Sequence, residues 1–119
     1  KMLKSIKDKK IIKIQGNASN IRLNKRYDVL ICMGVFEFNK NYEKIFETIK
    51  QHSHKTTEII ILIPYKNLFS YFYYFFHKLN GIELNIYLNK EIDAKVKKNF
   101  IIKKKVYIFP FSIIYKVIL

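Results

Sequence analysis

The sequence predicts an α/β domain whose parallel strands give way to an antiparallel hairpin at the C-terminal end. Three observations predict it. Two nearly unbroken apolar runs, Tyr27 to Met33 (YDVLICM) and Thr57 to Ile63 (TEIIILI), have the composition of strands buried on both faces of a parallel sheet. Between them, Asn39 to Gln51 places Tyr42, Ile45, Phe46 and Ile49 at helical spacing with charges in between, the pattern of an amphipathic helix. Beyond them, Phe100 to Ile108 and Ser112 to Leu119 are β-rich runs separated only by the turn region Phe109-Pro110-Phe111, which favours an antiparallel pair.

The other elements follow in chain order. Residues 1–9 read as the end of a basic helix. Lys10 to Gln15 (KIIKIQ) is a short β-branched run closed by Gly16-Asn17, a strand followed by a turn. Asn24 to Arg26 is a polar connection into the Tyr27 strand, and Pro64 stops the second apolar strand. Asn67 to Asn80 reads as a helix ended by the Asn80-Gly81 pair. Asn89 is placed to cap a short helix running to about Lys98, with Ile92 and Val96 as its apolar stripe. No internal repeat or linker divides the chain, so residues 1–119 form one domain.

Composition narrows the classes. Half of the 119 residues are hydrophobic and 16% are aromatic, enough to bury a core. Twenty-three Lys and Arg against nine Asp and Glu give a net charge of +14, which attracts nucleic acid or an anionic membrane at long range. Nearly all of that charge is Lys, in a chain also rich in Ile, Asn, Tyr and Phe, so AT-rich coding accounts for much of it. Cys32 has no partner for an internal disulfide, which suits a reducing compartment. Residues 1–10 do not lead into a signal peptide. The segment Ile59 to Leu79 is broken by Pro64, Lys66 and Asn67, so its apolar stretches fall short of the ~20 residues a bilayer needs. The expectation is a soluble, cytoplasmic domain.

Several segments, in order, resemble the second half of a class I S-adenosylmethionine-dependent methyltransferase. Ile14-Gln15-Gly16-Asn17-Ala18 resembles that family's third strand and its "GDA" turn. Tyr27 to Phe38 (YDVLICMGVFEF) resembles the fourth strand, usually "FDVVLC…vLEH". Ile59 to Tyr65 resembles the fifth, and Leu84 to Asp93 (LNIYLNKEID) resembles the "lYskkEl" segment before the last helix. The terminal hairpin matches the sixth strand and the antiparallel seventh. The likeness covers residues 11 to 119.

The resemblance implies a Rossmann-like sheet of strand order 3-2-1-4-5-7-6, of which this chain supplies strands 3 to 7. The family's first strand, its glycine-rich loop and the acidic end of its second strand would then lie in a missing N-terminal half. Independently, the glycines are Gly16, Gly34 and Gly81 alone, and no two of them form a G-x-G. The chain therefore has no loop that lets backbone approach a cofactor at a helix N-terminus. A fragment of this kind is expected to be inactive alone.

By resemblance the cofactor is S-adenosylmethionine, and its adenosine side falls to this half. Asn17 stands where the family has the acid that accepts from the adenine amino group, with Ala18 next to it. Asparagine keeps an acceptor oxygen without the charge. Read on its own, Gly16-Asn17 is an ordinary turn. Met33 and Gly34 end the fourth strand, where open α/β sheets place ligands, although Met33 is also a plausible core residue. Phe38 replaces a polar family residue that faces the acceptor, and Asp28 is read as structural.

The aromatic run Phe69 to Phe76 would be apolar all round as an isolated helix. Three roles fit it: a lid over a hydrophobic acceptor, a patch that docks on a membrane or partner, or core. Tyr65, Tyr73 and Tyr74 are the acceptor-side candidates with Phe38. His77 is placed to act as a base or to be structural. His52 and His54, read as flanking Ser53 in a loop, lack a third ligand for a metal. No Asn-Pro-Pro-Tyr motif of base-methylating relatives follows the fourth strand, which favours a small-molecule or lipid-like acceptor over nucleic acid. The competing expectation is a non-catalytic basic α/β module that binds nucleic acid or an anionic membrane surface.

Overall fold

The structure, a computed structural model, describes residues 14–119. The basic helix expected over residues 1–9 and the Lys10–Lys13 part of the first expected strand lie outside the described residues. Ile14 and Gln15, the rest of that strand, have no regular structure and are exposed. A strand needs a neighbour to take its backbone hydrogen bonds, and no described strand pairs with them.

In chain order the elements are β1 (Tyr27–Cys32), a single 3₁₀ turn (Phe36–Phe38), α1 (Tyr42–Gln51), β2 (Ser53–Pro64), α2 (Leu68–Leu79), α3 (Asn89–Asn99), β3 (Ile101–Ile108) and β4 (Ser112–Ile118). The strands form one sheet of order β1-β2-β4-β3, with β1 parallel to β2 and β4 antiparallel to both β2 and β3. That is the 4-5-7-6 portion of the order the resemblance implied.

β2 starts at Ser53, four residues before the expected Thr57, because the chain leaves α1 directly into the sheet. His52 closes α1 and His54 is in the strand, so neither histidine is in a loop. His54 Nε2 meets Asp28 Oδ1 at 2.8 Å, and Thr57 Oγ1 donates to the carbonyl of Tyr27. These contacts fix the start of the parallel pair, in keeping with a structural Asp28.

One face of the sheet carries the core. Ile59, Ile61 and Ile63 of β2 and Ile113, Tyr115 and Val117 of β4 are fully buried against Ile45, Phe46 and Ile49 of α1 and Ile92 and Val96 of α3. Asn41 caps α1 by accepting from the Glu43 amide at 3.1 Å. Leu88, not Asn89, precedes α3. Asn89 is the helix's first residue, and its side chain donates to Tyr107 and accepts from Lys105. Asp93 holds this corner, accepting from Lys105 Nζ at 2.7 Å and from the Tyr115 hydroxyl.

The opposite face is largely bare, which corrects the expectation of strands buried on both sides. Leu30 and Cys32 of β1 pack on the core, but Val29 and Ile31 point the other way and are more than half exposed. Ile60 and Leu62 of β2 and Ile114 of β4 lie in register with them, half-buried, next to exposed Val106 and Ile108. A continuous apolar run thus reported two-sided burial although only one side is covered among the described residues.

Candidate functional site

The C-terminal ends of β1 and β2 open onto the start of β4, and α2 crosses above them. Asn67 starts α2 with a capping box: its side chain accepts from the Ser70 amide at 2.9 Å while Ser70 Oγ accepts from the Asn67 amide at 2.7 Å. Asn67 Nδ2 also donates to the Pro110 carbonyl at 2.7 Å, and Phe69 and Tyr73 pack on Phe109 and Phe111, tying this end to the β3–β4 turn. At the other end His77 meets the edge of Phe38, just after β1. Ile82 N donates to His77 O and Gly81 N to Lys78 O, with Gly81 at φ +76°, the left-handed cap its sequence announced.

Only Ser70 of α2 is buried. Tyr73, Tyr74 and His77 are half-buried on the same inward stripe, and the other side chains stand in solvent. Among the described residues, then, nothing covers the outer side of α2 as a core would. Between this stripe and the segment Leu84–Leu88 lies an open cavity of about 620 Å³, lined by Lys66, Ser70, Tyr71, Tyr74 and Asn85 among others. Leu84–Leu88 is held in place by Asn85 N donating to the Glu37 carbonyl at 2.7 Å, Lys66 N to the Tyr87 carbonyl at 2.8 Å, and the Tyr42 hydroxyl to the Asn85 carbonyl.

The predicted residues divide into separate groups. Met33 is half-exposed at the end of β1, and Gly34 follows at φ +66° with no atom within 4 Å of the position a Cβ would take. Phe38 is half-exposed beside His77. Tyr74 lines the cavity, whereas Tyr73 packs on His77 and Phe111. Tyr65 is a bridge residue to Tyr87 and stacks edge-on against Tyr107.

Asn17 and Ala18 stand apart. Asn17 Oδ1 accepts from the Ser19 amide at 2.9 Å and from its hydroxyl at 2.7 Å, a self-contained Asx turn. The next link from this stretch runs from the Leu23 amide to His52 Nε2, at the start of β2 rather than its end.

Sequence reasoning passed over Glu37. Its side chain is only 6% exposed, and its Oε2 atom has no partner. Burial pushes its carboxyl above the ordinary range, against the opposing pull of a backbone hydrogen bond and of nearby His77. His77 Nδ1 is likewise buried without a partner. Burial and then the Glu37 charge raise the neighbouring Cys32 thiol to about 11, and the same two causes raise the Tyr73 hydroxyl. The signal was available: Phe36-Glu37-Phe38 sets one charge between aromatics directly after a buried strand.

The end of β1 at Met33 and Gly34 is open, with the Met33 side chain half-exposed beside it. The Asn17 oxygen is already engaged by Ser19 and would have to exchange that bond for one to adenine. Among the described residues no group of three His, Cys, Asp or Glu is placed to hold a metal ion.

No protein-family model matches the sequence, and no curated protein matches it. Solved structures do. The PH0226 protein from Pyrococcus horikoshii OT3 superposes with a TM-score of 0.66 at 10% identity, over 87% of this chain and 59% of that one. The glycopeptide N-methyltransferase MtfA, complexed with S-adenosylmethionine, gives 0.62 at 6% identity, over 89% and 63%. The magnesium protoporphyrin IX methyltransferase ChlM from Synechocystis PCC 6803, with bound S-adenosylhomocysteine, gives 0.60 at 17% identity, over 87% and 48%. The chain thus spans about half to three fifths of each of these proteins. With the β1-β2-β4-β3 order and its antiparallel end, these likenesses show that the chain carries a class I methyltransferase-like fold.

Proposed function

We propose that this chain is the C-terminal half of an S-adenosylmethionine-dependent methyltransferase acting on a small-molecule or lipid-like acceptor. The observation that carries the reading is the open C-terminal end of β1, beside which α2 runs from the β3–β4 turn to Phe38. The bare sheet face and the β1 edge, unpaired among the described residues, support a further half-domain on that side.

When bound, the cofactor supplies an electrophilic methyl group for in-line displacement. Met33 and Gly34 would hold its adenosine side, and Asn17 and Ala18 would meet adenine once the Asx turn reopens. α2 excludes water and orients the acceptor through Tyr74, with Phe38, Tyr65 and Tyr73 around it. Glu37 and His77 give a proton released from an oxygen or nitrogen acceptor a place to go. The test is transfer of label from methyl-labelled cofactor to solvent-extractable or small water-soluble products by the protein at its full encoded length. Wild type should label an acceptor and Met33→Lys should not. Equal labelling by both, or none by wild type, overturns the reading.

The second reading, a basic module for nucleic acid, needs lysines gathered on one face. They are spread along the chain, on α1, β2, α2, α3, β3 and β4, rather than gathered in one run. That distribution favours coding bias.

A further inference from the structure

Helix α2 is inside out. Its inward stripe holds Ser70, Tyr73, Tyr74 and His77, while Leu68, Phe69, Tyr71, Phe72, Phe75, Phe76 and Leu79 face solvent, Tyr71 and Leu79 at 71% exposure. Phe109, 80% exposed at the β3–β4 turn, stacks on Phe69 at 5.1 Å and extends the surface. A contiguous apolar patch of this kind calls for a covering partner, unlike scattered exposed hydrophobes. Its charge is one-sided. No Asp or Glu occurs between residues 59 and 82, and exposed Lys66 and Lys78 flank the aromatics.

We propose that the outer face of α2, with Phe109, docks in the plane of an anionic lipid surface. The rings would sit at the headgroup–acyl boundary, with Lys66 and Lys78 reaching the phosphates. Phenylalanine and leucine supply the apolar contact, tyrosine suits a boundary that is wet on one side, and lysine gains from anionic headgroups. A second copy of the chain is a poor occupant, because each carries a net charge of +14 and like charges oppose the encounter. No helix among the described residues is long and apolar enough to cross a membrane, so α2 lies on the surface. Tyr71 belongs to both the outer face and the cavity wall, which puts the cavity mouth at the bilayer. That last step rests on the methyl-transfer reading and would make the acceptor a membrane-resident lipid; the docking itself does not depend on it.

Vesicle co-sedimentation tests the docking. Wild type should sediment with vesicles of mixed phosphatidylglycerol and phosphatidylcholine, less so as salt rises, and little with phosphatidylcholine alone. Phe72→Ser/Phe75→Ser/Phe76→Ser should weaken binding by about tenfold or more while the charge stays the same. Equal binding by the triple variant would leave only lysine electrostatics and overturn the proposal, as would a wild type that ignores anionic vesicles. Self-association abolished by the triple variant, without vesicle binding, would assign the face to a second copy. Should the triple variant not fold, Phe75→Trp places the sole tryptophan on the face. Its emission should shift to the blue with anionic vesicles, and an unshifted spectrum overturns the proposal. Loss of methyl transfer with docking intact would count against the catalytic reading alone.

Discussion

Replacing Phe46 and Phe76 by alanine makes the same chemical change on two helices at very different cost. Phe46 on α1 is fully buried, 5.2 Å from the Phe36 ring and 5.6 Å from the Phe100 ring, with the sheet behind it. Truncating a buried phenylalanine costs about 3–5 kcal/mol, from lost transfer energy and the cavity left behind. Phe76 on α2 is 64% exposed and adds only an edge contact to His77, so its loss should stay within about 1 kcal/mol. Urea unfolding followed by circular dichroism measures both. The difference between the variants, rather than either absolute value, carries the test, because both share one unfolded reference. If Phe76→Ala costs as much as Phe46→Ala, α2 is a core helix and both the lid and the docking surface fail.

Two further predictions concern charge. Glu37→Gln should stabilise the chain by about 1 kcal/mol at pH 7, since it removes a buried, incompletely paired carboxylate. The folded carboxyl titrates above its unfolded value, so the wild type recovers as pH falls to the ordinary glutamate range and the gap between the two melting curves should close there; a gap unchanged with pH would contradict this. Asp93 behaves oppositely. Burial raises its carboxyl, but hydrogen bonds from Lys105 and Tyr115 and the nearby Lys97 charge outweigh that and leave it below the ordinary range. Its stabilisation is present above the unfolded value and is lost as pH falls through the folded one. Asp93→Asn should therefore cost about 1–2 kcal/mol near neutrality and nothing in strong acid, read from thermal melts across pH.

The elements whose side chains fix their own geometry were legible in the sequence. Gly81 ends α2 as the Asn80-Gly81 pair announced, and the hairpin around Phe109-Pro110-Phe111 appears where its flanking runs put it. Boundaries set by neighbours were not. The first four residues of β2 and the position of Asn89 inside α3 depend on tertiary contacts to Tyr27, Asp28, Tyr107 and Lys105. Burial was the least legible property. Val29 and Ile31 look like core and are exposed, because an apolar run reads the same whether one face of its strand is covered or both. Around the end of β1 the sequence showed Glu37 as a lone charge between Phe36 and Phe38, but not its isolation among Cys32, Tyr42, Tyr73 and His77, which arises only when three segments converge.

The central claim is that this chain carries one half of a cofactor site, at the end of β1. The most direct measurement is titration of the isotope-labelled 119-residue chain with S-adenosylhomocysteine, followed by amide chemical shifts. The account predicts saturation only at about millimolar ligand or weaker, a binding free energy of about −4 kcal/mol or less in magnitude. The shifts should centre on Met33 and Gly34 and their neighbours Val35 and Phe36, with a second, smaller set at Asn17 and Ala18 where the turn reopens onto adenine. Micromolar affinity would contradict the half-site, and shifts centred elsewhere on the sheet would contradict its location.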